Sequence, residues 1–437
     1  MTAIVTERRA SLLLFCRLCT PPTPVDNSKP QVILIAYLYP PHREIGALRP
    51  HRFRKYLERM GYPCHVITAT PQAEPAPAGV TVIPDELGKL WEGEAGGRLG
   101  IRGYFELFWR QVMFPGHIGI LWSRAAAAEC RRIVAANPGA RFVVFSTYPP
   151  LGSLLAGLFA SGSRTPWICD FRDPLAALVY ADQPWYVTRL NRIFDKRIFR
   201  RAAAVIANTE PAAHDWERRY PWASAKLHTI YNGYDPEQTP KARAIPARDY
   251  KLLVHAGTIY PGRNPNALIE GLARLRSQGA PEAMRAKVLL LGSTLKLAEV
   301  NWPLYEQAQR EGWLELRDAV PRAEAQAIVE AADALLIIQP HTTVQVPGKL
   351  FEYVCIGRPV LAIVQRSSPI ESILTNAAVP GAFLFPDDPP EISDRKLLEF
   401  LRLPNTPTPI NPWFREHFNA EAQTQMLARI IDQVAAK

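Results

Sequence analysis

Apolar runs of strand length alternate with periodic segments of helix length along nearly the whole chain. The first half carries VILIAY from 32, HVIT from 65, VTVI from 80, FVVFS from 142, WICDF from 167, AVIAN from 204 and LHTIYN from 227. The second half carries LLVHAG from 252, KVLLLG from 287, LELRD from 314, ALLIIQ from 334, VLAIV from 360 and AFLF from 382. Parallel strands covered by helices on both faces read as continuous apolar runs of this kind. The pattern therefore predicts an α/β protein built from parallel sheets.

The alternation is interrupted at the charged, proline-bearing stretch YDPEQTPKARAIPARDYK from 234 to 251. A stretch without apolar period is typical of a linker, which we place at 236–250. It separates a predicted first domain, 31–235, from a predicted second domain, 251–410, each a doubly wound Rossmann-like unit. Two such domains facing each other leave a central cleft, lined by the loops at the carboxyl ends of the strands, where ligands bind in this architecture.

The two ends of the chain differ in pattern. Residues 1–30 contain only the short apolar stretch SLLLFC, which is too short for a signal-peptide core, so we interpret them as an N-terminal arm. Residues 411–437 carry apolar positions at helical spacing, namely Met426, Leu427, Ile430, Ile431 and Val434. They predict a C-terminal amphipathic helix that crosses back to the first domain.

The charge balance indicates an anionic partner. The chain has 437 residues and a formal net charge of +10, a sign that fits nucleic acid, acidic lipid or a phosphorylated small molecule. Its six cysteines are scattered, without a second pair or nearby histidine to complete a zinc site, and we interpret them as reduced cytosolic thiols. No run approaches the roughly 18 to 20 apolar residues of a membrane span, so we expect a cytoplasmic chain, soluble or peripheral to the inner face of the membrane.

The stretch VPGKLFEYVCIGRP, 346–359, places a cation and an anion three residues apart at the start of a predicted helix. Gly357 can end that helix in the left-handed conformation, and Pro359 prevents its continuation. Lys349 and Glu352 share one face of the first turn. A lysine beside the positive end of a helix suits phosphate, and a glutamate can accept hydrogen bonds from sugar hydroxyls. The plainer alternative is a stable helix start with a solvated lysine.

Further candidates lie in loops that follow predicted strands. The loop LYPPHREIGALRP holds Gly46, which allows close backbone approach, and Arg49, which can reach into the cleft; a rigid corner set by prolines is the alternative. In HAGTIYPGRNP, Gly257 ends a strand and Arg263 precedes the next predicted helix. Arg263 and Lys349 fall at one edge of the predicted sheet, where two cations and two helix starts suit a diphosphate. No G-x-G-x-x-G follows a predicted strand and no P-loop is present, which argues against a standard dinucleotide or nucleoside-triphosphate enzyme.

With these motifs, the sequence resembles the retaining nucleotide-sugar glycosyltransferases of the GT-B fold, the group called glycosyltransferase family 4 or group 1. The resemblance rests on the order and spacing of YPP…G..R, DFRDP, VIANTEP, LHTIYNGYDP, HAGTIYPGRNP and PGKLFEYVCIGRPVLA over nearly the whole chain after residue 30. It implies transfer of a sugar from a nucleoside-diphosphate sugar to a saccharide or lipid-linked acceptor, in surface polysaccharide or glycolipid synthesis. It also implies retention at the anomeric carbon and no metal or other cofactor.

The resemblance assigns roles to single residues. It implies a donor site formed by Gly257, Thr258, Arg263, Lys349, Leu350 and Glu352. Two positions depart from the family: Thr258 stands where the first of two cations is expected, and Val344 where the first of two glutamates is expected. We expect Lys349 to replace part of the charge that binds the diphosphate, while the lost glutamate leaves the identity of the sugar open.

The segment ICDFRDPLA carries the candidate catalytic residue. Family members have His or Asp at the position of Asp173, near the transferred sugar, so the resemblance implies that Asp173 orients the acceptor or a sugar hydroxyl; capping of a turn is the alternative. Arg172 joins Gly46 and Arg49 as an acceptor-side candidate, unless it merely pairs with Asp170.

Two stretches bear on the acceptor. RLNRIFDKRIFRR, 189–201, predicts a basic amphipathic helix with Leu190, Ile193, Phe194 and Ile198 on one side, and 104–122 clusters Phe105, Phe108, Trp109, Phe114 and Trp122. Aromatic residues and cations suit peripheral association with an anionic membrane, whereas core-facing apolar stripes with a solvated basic face fit equally well. No nucleic-acid-binding module is recognisable, so we expect no nucleic-acid partner.

Two other functions stay open. A nucleotide-sugar epimerase can share the GT-B fold, but it needs acid and base residues around the sugar that the sequence does not assemble. A non-catalytic scaffold that binds nucleotide sugars is consistent with the departures at Thr258 and Val344.

Overall fold

Two parallel sheets form the frame of the molecule in the computed structural model, which describes residues 29–42, 45–73, 75–85, 108, 117–163, 165–175, 185–259, 262–292 and 299–436. The strands of the first sheet are β1 (Gln31–Ile35), β2 (Cys64–Thr68), β3 (Val80–Val82), β4 (Phe142–Tyr148), β5 (Trp167–Phe171), β6 (Ala204–Ala207) and β7 (Leu227–Thr229). The strands of the second sheet are β8 (Lys251–Ala256), β9 (Ala286–Leu291), β10 (Leu314–Arg317), β11 (Ala334–Gln339), β12 (Val360–Val364) and β13 (Gly381–Leu384). Each strand coincides with one of the apolar runs of the sequence.

The strand order shows that both sheets are doubly wound. The first has the order β3-β2-β1-β4-β5-β6-β7 and the second the order β10-β9-β8-β11-β12-β13. The order reverses between β1 and β4 and between β8 and β11, and the crevice outside the carboxyl ends at such a point is where open α/β sheets bind ligands. The predicted fold class, two Rossmann-like units with a C-terminal helix, is confirmed.

Helices connect the strands and cover both sheets. Those of the first half are α1 (Ile45–Arg59), α2 (Trp122–Ala136), α3 (Leu151–Ala160), α4 (Trp185–Arg201) and α5 (Glu210–Arg219). Those of the second half are α6 (Asn266–Ser277), α7 (Pro281–Met284), α8 (Trp302–Arg310), α9 (Arg322–Glu330), α10 (Lys349–Ile356), α11 (Pro369–Asn376), α12 (Pro390–Arg402), α13 (Pro412–Phe418) and α14 (Ala420–Ala435). Short 3-10 turns lie at Pro221–Lys226 and Pro236–Gln238. Within the described part of the chain, every helix is too short or too polar to cross a bilayer.

The two faces of the first sheet pack into separate cores. Ile33 and Ile35 of β1 point into one core and Val32 and Leu34 into the other, as the alternation of side chains along a strand requires. The second of these cores is completed by Leu427, Ile430, Ile431 and Val434 of α14. The last helix therefore packs on the first sheet. Met426 is the exception to the apolar spacing, because its side chain faces solvent.

Two segments cross between the sheets and bond to each other. The backbone N–H of Tyr234 donates to the carbonyl of Phe418, and that of Ala420 donates to the carbonyl of Tyr234. The outgoing segment is fixed to α1 by Asp235, which accepts hydrogen bonds from Lys55 Nζ and Tyr56 Oη, both at 2.8 Å. The stretch predicted as a linker is thus held at its start by the first half of the chain.

Parts of the sequence interpretation fall outside the described residues. They include the N-terminal arm up to residue 28 and the side chains of Phe105, Trp109 and Phe114. Of the same aromatic stretch, Phe108 is exposed, whereas Trp122 is buried against Tyr37 in the first core.

A buried ion pair joins α1 to β5 and to the segment after β7. Nε and Nη2 of Arg49 donate to the two carboxylate oxygens of Asp170 at 2.8 and 2.7 Å. The remaining N–H groups donate to the carbonyls of Ile230 and Tyr231, both at 2.7 Å, and to Oδ1 of Asn232 at 3.5 Å. A guanidinium has five N–H donors, so none is left for a ligand. Arg49 lines the cleft, but its guanidinium has a structural role and does not extend towards an acceptor as predicted. The ion-pair partner of Asp170 is Arg49 and not Arg172.

We predict that Arg49→Met destabilises the first domain by about 3 to 5 kcal/mol, because it leaves the buried carboxylate of Asp170 without its counter-charge. Thermal and denaturant unfolding measure the loss. The matched control is Arg132→Met, which removes an exposed ion pair with Glu129 and should cost less than about 1 kcal/mol. Equal stabilities of the two variants would contradict the structural role of Arg49.

Candidate functional site

A cleft of about 800 Å³ opens between the carboxyl ends of the two sheets. Its first-domain wall is formed by α1, including Arg52, and by the segment after β7. Its second-domain wall includes Gly257, Arg263, Lys349 and Glu352. The structure therefore brings together in one cleft residues that the sequence proposes for a donor site and that lie far apart in the chain.

Lys349 occupies the base of the cleft. It is the first residue of α10, which ends at Gly357 in the left-handed conformation, as the sequence predicts. Its Nζ donates to the carbonyl of Ala256 at 2.7 Å and lies 3.3 Å from Nε2 of His255. Burial, together with the positive charge of Arg263, lowers the pKa of Lys349 to about 7. The ammonium is held in place, but its charge is not compensated by a carboxylate in direct contact.

A glycine at 257 lets the ammonium of Lys349 lie against the backbone at the end of β8. Its φ of 150° lies in a region that side chains rarely adopt, and a Cβ atom would lie 2.2 Å from Nζ of Lys349. The glycine at the end of β8 therefore makes room for the lysine at the start of α10.

His255 is a site residue that the sequence interpretation missed. It is only 1% exposed, and its Nδ1 lies 3.0 Å from the carbonyl of Leu336. Burial and the neighbouring ammonium of Lys349 hold the pKa of His255 well below its usual range, so the ring is neutral. With the proton on Nδ1, the lone pair of Nε2 faces Lys349. A polar residue inside the apolar run LLVHAG was the available signal.

The other proposed donor residues divide into two groups. Thr258 and Arg263 line the cleft beside Lys349. Leu350, by contrast, is fully buried in the core under α10, so its side chain cannot contact a ligand in the cleft. Its backbone N–H donates to the carbonyl of Pro347 at 3.0 Å, so the structure gives Leu350 a role in the helix start.

Glu352 lies one turn further along α10, on the wall of the cleft. Its Oε1 lies 3.5 Å from Nη2 of Arg322 at the start of α9, and both side chains are about half exposed. Arg52 faces them from α1 and donates to the carbonyl of Gly233. A ligand that enters between α1 and α9 therefore meets a carboxylate flanked by two guanidinium groups.

Two hydrogen bonds join the domains beside the cleft. Gln345 Nε2 donates to Oδ1 of Asp173, and Thr209 Oγ1 donates to the carbonyl of Val344, both at 2.7 Å. Asp173, the candidate catalytic residue, is thus oriented by the segment that leads into α10. Val344, at the position of the missing glutamate, contributes its backbone carbonyl to this contact.

Arg172 and Gly46 lie together on the first-domain side, outside the lining of the 800 Å³ cleft. A Cβ atom at Gly46 would lie 2.9 Å from Nη1 of Arg172, so the glycine leaves room for the guanidinium. Nε and Nη1 of Arg172 are buried without a hydrogen-bond partner. The structure places Arg172 next to Asp173 and Gly46 at the start of α1. Neither residue lies against the proposed donor-side residues.

Comparison with known proteins agrees with this geometry. Residues 50–238 match the family model described as Glycosyltransferase Family 4. The D-inositol 3-phosphate glycosyltransferase of Jonesia denitrificans is 28% identical over 128 residues, which span 27% of this chain and 30% of that protein. Both matches cover less than half of this chain, and the second spans only 30% of the relative's length, so they show a resemblance to family 4 glycosyltransferases.

Solved structures of other proteins show which fold this chain shares. Sucrose-phosphate synthase from Thermosynechococcus elongatus superposes with a TM-score of 0.57 at 15% identity, over 93% of this chain and 100% of that one. HepE from Anabaena, in complex with UDP-glucose, superposes with a TM-score of 0.53 at 15% identity, over 92% and 99% of the two chains. At such identities the likeness shows the fold alone, and the fold is GT-B.

We predict that the affinity for UDP or another nucleoside diphosphate falls as the pH rises above about 7. The pKa of Lys349 is about 7 in the free protein, and a bound diphosphate stabilises the protonated ammonium and raises that pKa. Binding therefore takes up a proton between the two pKa values, and affinity falls by up to about tenfold per pH unit in that window. Calorimetry at about pH 7 and about pH 8.5, in buffers of different ionisation enthalpy, measures both effects.

Lys349→Met is the control for this pH dependence. It should bind the diphosphate more weakly, by on the order of 1.5 to 3 kcal/mol at about pH 7, and without proton uptake. Equal affinities of the parent protein at the two pH values would exclude a titrating Lys349 from the diphosphate site.

Proposed function

We propose that the chain transfers a sugar from a nucleoside-diphosphate sugar to a saccharide or lipid-linked acceptor, with retention at the anomeric carbon. The observation that carries the proposal is that Lys349 and Arg263 line one cleft, with Lys349 at the start of α10. Two cations and a helix N-terminus suit a diphosphate, because the helix end carries partial positive charge. The UDP-glucose bound to HepE supports the donor class, and the name of the Jonesia relative, a D-inositol 3-phosphate glycosyltransferase, supports sugar transfer.

The cations have a chemical task in such a reaction. Breaking the bond between the sugar and the diphosphate leaves negative charge on the phosphate while the sugar becomes oxocarbenium-like. Lys349 and Arg263 stabilise that charge, so the proposal requires no metal or other cofactor. Glu352 accepts hydrogen bonds from hydroxyls of the ribose or the sugar once Arg322 releases it.

The acceptor enters from the first-domain side. In the proposed retaining reaction it attacks the face that the phosphate leaves, and the departing phosphate takes the acceptor proton. Asp173 orients the acceptor or a sugar hydroxyl, since its carboxylate is fixed at the junction of the two domains by Gln345. Arg172, with two buried nitrogens that lack a partner, stands beside this carboxylate as the acceptor-side cation.

A nucleotide-sugar panel tests the function. A donor present at about 100 times its dissociation constant should stabilise the protein by about 2.7 kcal/mol, which thermal unfolding detects. Each stabilising nucleotide sugar is then incubated with saccharide and lipid-linked acceptors, and the products are separated. Transfer with retained anomeric configuration supports the proposal. An epimerised free nucleotide sugar supports the epimerase alternative, and binding without turnover supports the scaffold.

We predict that Glu352→Gln weakens donor binding by about 1 to 2 kcal/mol, because it keeps one acceptor but loses the charge that strengthens hydrogen bonds to hydroxyls. The folded protein should lose less than about 1 kcal/mol, since the contact with Arg322 is exposed. Calorimetry with the donor and thermal unfolding separate the two effects. Parental donor affinity together with parental turnover would remove Glu352 from the site.

The exposed side of α4 gives the proposed membrane association a structural basis. Six of its cations are exposed, Arg189, Arg192, Lys196, Arg197, Arg200 and Arg201. Its acidic residue, Asp195, is buried, and burial raises the pKa of this carboxyl to about 8. Trp185 is 76% exposed and Ile193 52% exposed, and helical spacing places both among the cations. Ile198 lies in the core, whereas Ile193 belongs to the basic surface. The residues predicted to share one apolar side are therefore divided between the core and the surface.

We propose that these eight residues, the basic face of α4, rest on the anionic inner surface of a membrane. Cations near such a surface are attracted by about 1 kcal/mol each, and exposed apolar side chains insert among the headgroups. Because α4 follows Asp173 in the sequence, we propose that this orientation presents the acceptor side of the site to a lipid-linked substrate, as surface polysaccharide or glycolipid synthesis requires.

We predict that Arg192→Glu with Lys196→Glu weakens binding to phosphatidylglycerol vesicles by at least about 2 kcal/mol in a flotation assay. Arg285→Glu with Arg310→Glu makes the same charge change on exposed residues of the second domain and serves as the control. Equal losses in the two double variants, or a parent protein that ignores anionic vesicles, would contradict a role for the basic face of α4.

A further inference from the structure

Two glutamine side chains form a polar chain that ends on Asp173. Gln345 Nε2 donates to Oδ1 of Asp173 at 2.7 Å, and Nε2 of Gln339 lies 3.5 Å from Oε1 of Gln345. Gln339 is only 4% exposed, yet its own Oε1 is buried without a hydrogen-bond partner. A buried amide oxygen without a donor is unfavourable by roughly 1 to 3 kcal/mol, and such groups in native proteins call for an explanation.

This chain of amides lies at the same sheet edge as the donor-side residues. Gln339 ends β11, which pairs with β8 in the register Ala334 with Leu253 and Leu335 with Val254. Continued along both strands, that register places Gln339 beside Thr258. The segment from Gln339 to Lys349 then runs over the loop after β8, since a Cβ atom at Gly262 would lie 3.2 Å from Cδ2 of His341. The amides therefore lie outside the lining of the 800 Å³ cleft and connect Thr258, which lines it, with Asp173.

The side chain of Val344 cannot bind sugar hydroxyl groups in the way that a glutamate does. Its side chain is a hydrocarbon, and its carbonyl already accepts the hydrogen bond of Thr209. In the same segment, Gln345 contacts Asp173 across the junction of the domains, and Oε1 of Gln339 has no hydrogen-bond partner. An amide offers both an acceptor and two donors, so it can bind a hydroxyl in either sense.

We infer that Gln339 and Gln345 bind hydroxyl groups of the donor sugar and set its specificity, in place of the carboxylate that Val344 lacks. This inference rests on the proposed function. A sugar hydroxyl would donate to Oε1 of Gln339, and a second would share the amide of Gln345 with Asp173. The sugar would thereby be held between neutral amides on one side and the carboxylate of the first domain on the other.

The test compares a nucleotide sugar with its bare nucleoside diphosphate. Calorimetry is done with UDP and UDP-glucose, and with GDP and GDP-mannose, on the parent protein, Gln345→Ala, Gln339→Met and the control Gln307→Ala. Gln307 lies on α8 and bonds only Glu311 there. Both test variants should bind the bare diphosphate like the parent and lose roughly three- to tenfold in affinity for the matching nucleotide sugar. The control should change neither affinity.

Three results would overturn the inference. Unchanged affinity for the nucleotide sugar removes the glutamines from the sugar site. Equal losses for the sugar and the bare diphosphate assign them a structural role in shaping the segment before Lys349. A parent protein that binds none of these four compounds contradicts the proposed function itself, which distinguishes that failure from failure of the inference.

The variant Gln345→Glu provides a further measurement, the pH dependence of sugar binding, which would not change if Gln345 had only a structural role. It replaces the amide donor by a second carboxylate within contact distance of Asp173, and two such groups together hold a proton more tightly than either alone. The affinity ratio of UDP-glucose to UDP should therefore be low at about pH 8 and recover as the pH falls towards about 6. Because the ratio cancels the effect of Lys349 on the diphosphate, a ratio independent of pH would count against the inference.

Discussion

The approach of the Lys349 ammonium to the backbone of Gly257 is the constraint on which the site depends. A side chain of any size at 257 would occupy the position of Nζ. With glycine there, the ammonium reaches the carbonyl of Ala256 and the neutral ring of His255, so it is fixed at the start of α10 before a donor arrives. Hydrogen-bond donors that are already oriented towards the place where negative charge develops need no rearrangement during the reaction. Such preorganised groups therefore stabilise transition states effectively.

The site also depends on both halves of the chain. Lys349 and Glu352 come from the second sheet, whereas Asp173 belongs to the first, and hydrogen bonds from Gln345 and Thr209 hold the two sides together. These two contacts are short side-chain bonds, so opening the cleft requires little to be broken beside it. The return of α14 to the first sheet gives a larger, apolar connection away from the ligand. The two halves are therefore joined by the crossing segments and α14 as well as by the contacts beside the cleft.

The sequence predicted the frame of this molecule well, because buried parallel strands leave continuous apolar runs that no other structure explains. It also located Gly257 and Lys349, since a glycine after a strand and a cation at a helix start carry local signals. The failures have a common cause. Arg49 was assigned from its position after a strand and Leu350 from the family resemblance, but the direction of a side chain and the partners that already engage it are set by tertiary packing. Gln345 and His255 were missed because their roles arise from contacts with residues about 80 or more positions away.

The central claim is that the diphosphate of a nucleotide sugar binds at the start of α10, against Lys349. A crystal structure with UDP bound tests it most directly. We expect phosphate oxygens at hydrogen-bond distance, roughly 2.7 to 3.2 Å, from Nζ of Lys349, with the guanidinium of Arg263 facing the same diphosphate. A diphosphate bound elsewhere, for example against α1, with the ammonium of Lys349 still directed only at Ala256, would contradict the claim.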